Sequence, residues 1–401
     1  VGRRVRLTTL TAVAVLVLGV APPATAGVDV PKQPNSSANE CSPPPVAVAH
    51  TIPWAQKRLA PERVWPLTKG AGVTVAVLDT GTDGNVPQLA GAVLPGFDAV
   101  AGRGTANDDC FGHGTFVTGI IAARPHPATP FVGIAPEATI LPIRSAKDDN
   151  GASSQMAAAL RAAADRGAKV ANISSSATYP SAELEQAVKY AQGRDVLIVA
   201  AAANKNTEGN PKPYPASYDG VLAVGAIGRD GARAEFSQTG AFVGLVAPGV
   251  DIVSTGTRGP GHWQGPGTSY AAPFVTGVAA LVRAYYPKLT AVQVMHRLEV
   301  TADHPAAQLP DEQYGWGVVN PYSAIQAVLP EERPGHEIVV TARGPVPITV
   351  VQPPDTSARD LLLIGIASAT VLISLAVLAA RFAPLGRRRR WHPARATRDG
   401  S

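Results

Sequence analysis

The chain has 401 residues, 45% of them hydrophobic, with 39 Gly and 37 Pro, so it can bury one large core and turns often. Its formal net charge of +5 sits at the two ends: Arg3, Arg4 and Arg6 at one, and seven arginines against Asp399 from Arg381 onward at the other. The body between them is mildly acidic, which excludes a nucleic-acid binder built on a basic patch of its folded domain.

Residues 1–26 have three parts: the early arginines, an apolar core from Leu10 to Val20, and Ala24-Thr25-Ala26, with small residues at the −3 and −1 positions of a cleavage site. They predict a secretory signal peptide cut after Ala26, with an uncleaved anchor as the other reading. Residues 27–60 hold many Pro, Asn and Ser without periodicity and predict an irregular N-terminal extension. Cys41 and Cys110 are the two cysteines, in no CxxC or zinc spacing. In an exported protein they pair most simply with each other, which would staple the extension to the body.

Residues 61–329 carry the folded body. From Gly72 to Leu78 a nearly continuous apolar run ends at Asp79-Thr80-Gly81, which predicts a buried strand and a turn. Phe116, Val117, Ile120 and Ile121 give 113–123 a helical face. A strand is expected at 140–143, an Ala-rich helix at 154–166, a strand at 169–173, a helix at 181–192 and a buried strand at 196–202. Further strands are expected at 221–227 and 242–247. Ala272, Val275, Ala279 and Val282 then recur at helical spacing, with Pro273 expected in the first turn, and a last helix covers 290–300. Strands alternating with helices predict an α/β domain whose parallel sheet is covered on both faces.

Residues 330–360 read as a Pro-rich linker. Residues 361–380 contain no charge, and at about 1.5 Å per helical residue they would span roughly 30 Å, the thickness of a bilayer core. Arg381 and the arginines at 387–390 follow, so the positive-inside rule predicts a transmembrane helix with the body outside and a basic tail, 381–401, in the cytoplasm. A buried core helix is the competing reading.

The chemistry concentrates where strand ends meet helix starts. Ser269, in Gly267-Thr268-Ser269-Tyr270-Ala271-Ala272-Pro273, stands at a helix mouth among small residues, as a nucleophile or as an ordinary helix cap. Asp79 ends the first buried strand, and His113 opens a helix in Gly112-His113-Gly114-Thr115. A serine nucleophile needs an imidazole to take its proton, a carboxylate to orient that imidazole, and donors for the oxyanion. In open α/β sheets the crevice at the carboxyl ends of the strands is where ligands bind.

The segments AVLDTG, GHGTFVTGI and GTSYAAPFVTGVAAL, in that order, resemble the three catalytic motifs of the subtilisin-like serine proteases, from about Val64 to Leu329. The resemblance implies a three-layer domain with a seven-stranded parallel sheet between helices. It implies Asp79 as orienting acid, His113 as general base and acid, and Ser269 as nucleophile. Asn204, after Ala200-Ala201-Ala202-Ala203, resembles the family's oxyanion-hole asparagine; the family often has Gly where this chain has Ala203, whose methyl would narrow the cleft. Asn172-Ile173-Ser174-Ser175-Ser176 resembles the edge segment that binds substrate, so Ser174, Ser175 and Ser176 are expected to pair with an extended peptide, Ser174 and Ser176 through main-chain groups.

The leader, the short extension and the membrane segment with its basic tail together resemble the mycosins, membrane-anchored members of that family that accompany type VII secretion. Residues 107–115 and 314–321 are similar to mycosin segments. That resemblance implies an extension wrapping the catalytic domain and a type VII secretion membrane complex as partner, beside a peptide or protein substrate. The extension is too short for a folding prodomain, and a second disulfide of many mycosins is lacking. No cofactor and no metal are expected: Asp108 and Asp109 could hold a cation, but read better as a solvated loop, and the other histidines show no ligand spacing. A non-proteolytic scaffold and a general cell-surface processing protease remain as alternatives.

Overall fold

A computed structural model describes residues 30–34, 41–148 and 152–332, and, further on, 366, 368–370, 372–378 and 380. The chain divides into two units, Val1–Val346 and Pro347–Ser401. The first unit runs α1 (Trp54–Leu59), β1 (Thr74–Asp79), β2 (Phe97–Asp98), α2 (His113–Ala122), β3 (Thr139–Arg144), α3 (Ser153–Asp165) and β4 (Val170–Ile173). It continues α4 (Ala182–Gln192), β5 (Leu197–Ala201), β6 (Val221–Ile227), β7 (Val243–Pro248), β8 (Ile252–Thr255), β9 (His262–Gly265), α5 (Thr268–Tyr285), α6 (Ala291–Val300) and α7 (Pro321–Gln326).

Seven strands form one parallel sheet in the order β2-β3-β1-β4-β5-β6-β7. Alternation along each strand splits the apolar residues between two cores. Val75, Val77, Val170, Leu197 and Val199 join α2 and α5 on one face. Ala76, Leu78, Ala171, Ile173 and Ile198 join α3 and α4 on the other. The expected parallel sheet between helices is therefore present. Because β1 lies between β3 and β4, the strand order reverses beside β1 and opens a crevice at the carboxyl ends.

The inferred boundaries hold to within about two residues for β1, α3, β4, α4, β5, β6 and β7. Ser181 and Thr290, expected as first helical residues, are N-caps that accept from Leu184 N–H and Gln293 N–H. One boundary is corrected: α5 starts at Thr268, so Pro273 stands inside the helix rather than in its first turn. The carbonyl it leaves open, that of Ser269, accepts instead from Ser174 Oγ at 3.2 Å; α5 is otherwise almost wholly buried, with Ala271, Ala272, Ala279 and Ala280 inaccessible and Gly277 close against Ile134. Sequence reading missed α1, β2, α7 and the antiparallel hairpin of β8 and β9.

The extension is not free of the body. Gln33 N–H donates to Gln264 O at 2.9 Å, Gln264 N–H to Pro31 O at 2.9 Å, and His262 N–H to Ala47 O at 2.8 Å, so described parts of the extension run along β9. Ala55 and Leu59 of α1 enter the core. His262 is fully buried: its Nε2 meets Gln88 Oε1 at 2.9 Å and its Nδ1 accepts from Ala49 N–H at 3.2 Å. Cys41 and Cys110 are bonded to each other.

The leader, the tail from 381, residues 333–360 of the linker and residues 361–365 of the uncharged segment lie outside the described residues. In the second unit, the described residues from 366 to 380 are helical, with Thr370 Oγ1 donating to Ile366 O and Ser374 Oγ to Thr370 O, both at 2.8 Å. Among the described residues no helix is long and apolar enough to cross a membrane.

Candidate active site

Asp79 ends β1, 5% exposed, and its Oδ1 accepts from Thr80 N–H at 2.8 Å. The same oxygen lies 2.8 Å from His113 Nδ1. A carboxylate can only accept, so the neutral imidazole carries its proton on Nδ1 and leaves Nε2 unprotonated. His113 is the first residue of α2, and Gly112 before it has φ +93°; a Cβ there would lie 2.5 Å from the Trp263 ring. Glycine is thus required twice, by the backbone and by the indole. The ring of Tyr270 stacks on the imidazole at 5.2 Å between centroids, and Phe116 packs on Tyr270 at 4.2 Å.

A second carboxylate lies behind this pair. Asp109, 3% exposed, accepts from Thr80 Oγ1 (2.9 Å), Gly112 N–H (2.7 Å), Thr115 N–H (2.8 Å) and Thr115 Oγ1 (2.7 Å). Burial pushes its pKa up, while the bonds from Thr115, Gly112 and Thr80 oppose that shift. The solvated-loop reading is therefore corrected for Asp109, which ties down the start of α2. Asp108 is exposed and meets Arg144 Nη2 at 2.9 Å. Among the described residues no group of His, Cys, Asp and Glu could hold a metal ion.

Ser269 is the second residue of α5. Asn204 follows β5, and its Oδ1 accepts from both Thr268 N–H and Thr268 Oγ1 at 2.9 Å. This orientation turns the Nδ2 amide the other way. A Cβ on Gly267 would lie 2.8 Å from Ser269 Oγ and 3.6 Å from Asn204 Nδ2, so hydroxyl and amide border one small space that glycine leaves open. Ala203 holds φ +67°, a left-handed conformation that costs a non-glycine residue about 1–2 kcal/mol.

Ser174, Ser175 and Ser176 follow β4 in no strand of their own. Ser174 Oγ donates to Ser269 O at 3.2 Å and accepts from Asn172 Nδ2 at 2.9 Å, and Ser175 Oγ reaches Met156 Sδ at 3.4 Å. Asp79, His113, Ser269, Asn204, Ala203 and Ser174–Ser176 all line one cleft of about 1140 Å³. Lys32, Gln33 and Pro34 of the extension line it too, and Tyr270 Oη donates to Gln33 Oε1. The cysteine pair stands beside Phe111, another lining residue, rather than in the cleft.

Sequence reading missed Thr268, Tyr270, Thr80, Asp109 and Gln33. Thr268 and Tyr270 flank the serine and were within reach of it. The others act through partners that only folding supplies.

Residues 70–317 match the subtilase family (Peptidase_S8). The chain is 33% identical to Mycosin-1 of Mycolicibacterium smegmatis, covering 90% of this chain and 92% of that protein. It is 37% identical to Mycosin-4 of Mycobacterium tuberculosis, covering 82% and 80%. Among solved structures, the serine protease MycP1, an essential component of the type VII (ESX-1) secretion system, aligns with TM-score 0.63 and 32% identity over 76% of this chain and 97% of that one. A fold, a cleft and matches spanning nearly the whole length agree: the chain belongs to the subtilase family of serine peptidases, with the mycosins among its relatives.

Proposed function

We propose that this chain is a membrane-anchored, extracytoplasmic serine endopeptidase that cleaves peptide bonds through Asp79, His113 and Ser269 and works beside a type VII secretion complex. The observation that carries the chemistry is the 2.8 Å bond from His113 Nδ1 to Asp79 Oδ1, with Ser269 Oγ and Asn204 Nδ2 bordering the space at Gly267 in the same cleft.

An extended peptide pairs with the backbone of Ser174–Ser176. Ser269 Oγ attacks the scissile carbonyl and gives its proton to His113 Nε2, and Asp79 stabilises the imidazolium. Asn204 Nδ2 and the Ser269 N–H donate to the oxyanion; α5 adds its positive end. His113 then protonates the leaving amine, and water, deprotonated by the same nitrogen, hydrolyses the acyl-enzyme. Family members named for type VII secretion support the partner, and the uncharged run at 361–380 before an arginine cluster supports the anchor.

Ser269→Ala is expected to abolish labelling by a fluorophosphonate probe, while persistent labelling would remove Ser269 as nucleophile. Alkaline carbonate extraction checks the anchor: the full chain stays with the membrane, and release into the soluble fraction refutes it.

A further inference from the structure

In a regular α-helix the carbonyl of residue 269 would accept from the N–H of residue 273. That residue is Pro273, which has none. The open position is filled from outside the helix, by Ser174 Oγ at 3.2 Å. Ser174 is itself held: Asn172 Nδ2 donates to its hydroxyl at 2.9 Å, and Thr276 Oγ1, about two turns beyond Ser269 along α5, donates to Asn172 Oδ1 at 2.9 Å. Asn172 and Thr276 are inaccessible to solvent. The relay leaves α5 at Thr276, crosses the end of β4, and returns to α5 at the serine.

We propose that Ser174 is a positioning residue for the Ser269 nucleophile, acting through its side chain and in addition to any main-chain contact with substrate. The peptide plane between Ser269 and Tyr270 is gripped at both ends. Tyr270 N–H donates to Gly267 O at 3.1 Å, and the Ser269 carbonyl takes the Ser174 hydroxyl. Holding that plane restricts the rotation about the Cα–C bond of Ser269, and with it where the Cβ that carries Oγ sits beside the space at Gly267. A chain of hydroxyl, amide and hydroxyl donors all running one way polarises each member, so the last bond is strengthened. The substrate-pairing segment and the nucleophile therefore share one side chain.

This inference rests on the proteolytic reading above, and the experiment separates the two. A small fluorophosphonate probe reports the reactivity of Ser269 without a peptide laid along Ser174–Ser176. In the full chain, Ser174→Ala is expected to label about 3- to 10-fold more slowly, the range set by loss of one hydrogen bond. With a peptide substrate the loss falls on kcat and leaves KM unchanged. Ser174→Thr, which keeps the hydroxyl, restores the rate. Thr276→Val, which touches neither cleft nor probe, lowers labelling in the same direction by a smaller factor, and carries the test should Ser174→Ala fail to fold. Unchanged labelling in Ser174→Ala with a raised KM, or no recovery in Ser174→Thr, overturns the proposal. Labelling of Ser269→Ala would instead overturn the nucleophile assignment.

Discussion

Acid should loosen the seam between extension and body, and His262 sets how much. Burial, helped by His126 and His50, lowers its pKa from 6.5 to about 4. In the folded chain the imidazole is neutral because its Nδ1 must accept from Ala49 N–H, and a proton there would replace attraction by repulsion. A folded pKa below the unfolded value means that the unfolded chain binds the extra proton first. Stability from this group is full above pH 6.5, falls as pH drops toward 4, and is constant below. A shift of 6.5 to about 4 at 1.36 kcal/mol per unit gives about 3 kcal/mol. Urea unfolding of the wild type and of His262→Gln at pH 7 and pH 4 isolates it, since titrating carboxylates cancel in the comparison. The wild type should lose about 3 kcal/mol more than the variant between the two pH values. Equal losses, or a ring-proton titration of His262 centred near 6.5, would refute the reasoning.

Asn204→Ala removes an oxyanion donor and should lower kcat about 10²- to 10³-fold with little change in KM, a magnitude that comes from the subtilisins rather than from this structure; steady-state kinetics checks it. Asp109→Asn puts an amide NH₂ against one of the two backbone N–H groups, Gly112 or Thr115, that now meet a carboxylate oxygen, and should destabilise by about 1–3 kcal/mol by urea unfolding. Cys41→Ser opens a bond between residues 69 apart and should cost about 2–4 kcal/mol, matched by adding reductant to the wild type.

Strands β1, β5 and β6 were legible because they are buried on both faces and read as unbroken apolar runs. The hairpin was not: His262-Trp263-Gln264-Gly265 has no simple alternation, since its residues face the extension, the Gly112 turn and Tyr270 rather than one core and one solvent. The start of α5 was misplaced because Pro273 resembles a first-turn residue, and only the side-chain bond from Ser174 explains why an interior proline fits. That Asp79, His113 and Ser269 would line one cleft was legible from their flanking motifs. Asp109 was not, because an acid beside another acid looks like surface until four donors close around it. Gln33 sits in a stretch with no periodicity, so nothing local marks it as part of a wall.

That wall separates two properties. Residues 32–34 bound the cleft, held by backbone bonds to Gln264 and by Tyr270, and they are far in sequence from every proposed reacting atom. Substitutions of Lys32 and Pro34 can reshape the entrance while Gln33 keeps its bond to Tyr270, the ring stacked on His113. Two paralogues could keep identical chemistry and still admit different polypeptides, with selectivity diverging at the front of the chain while the reaction centre stays constant.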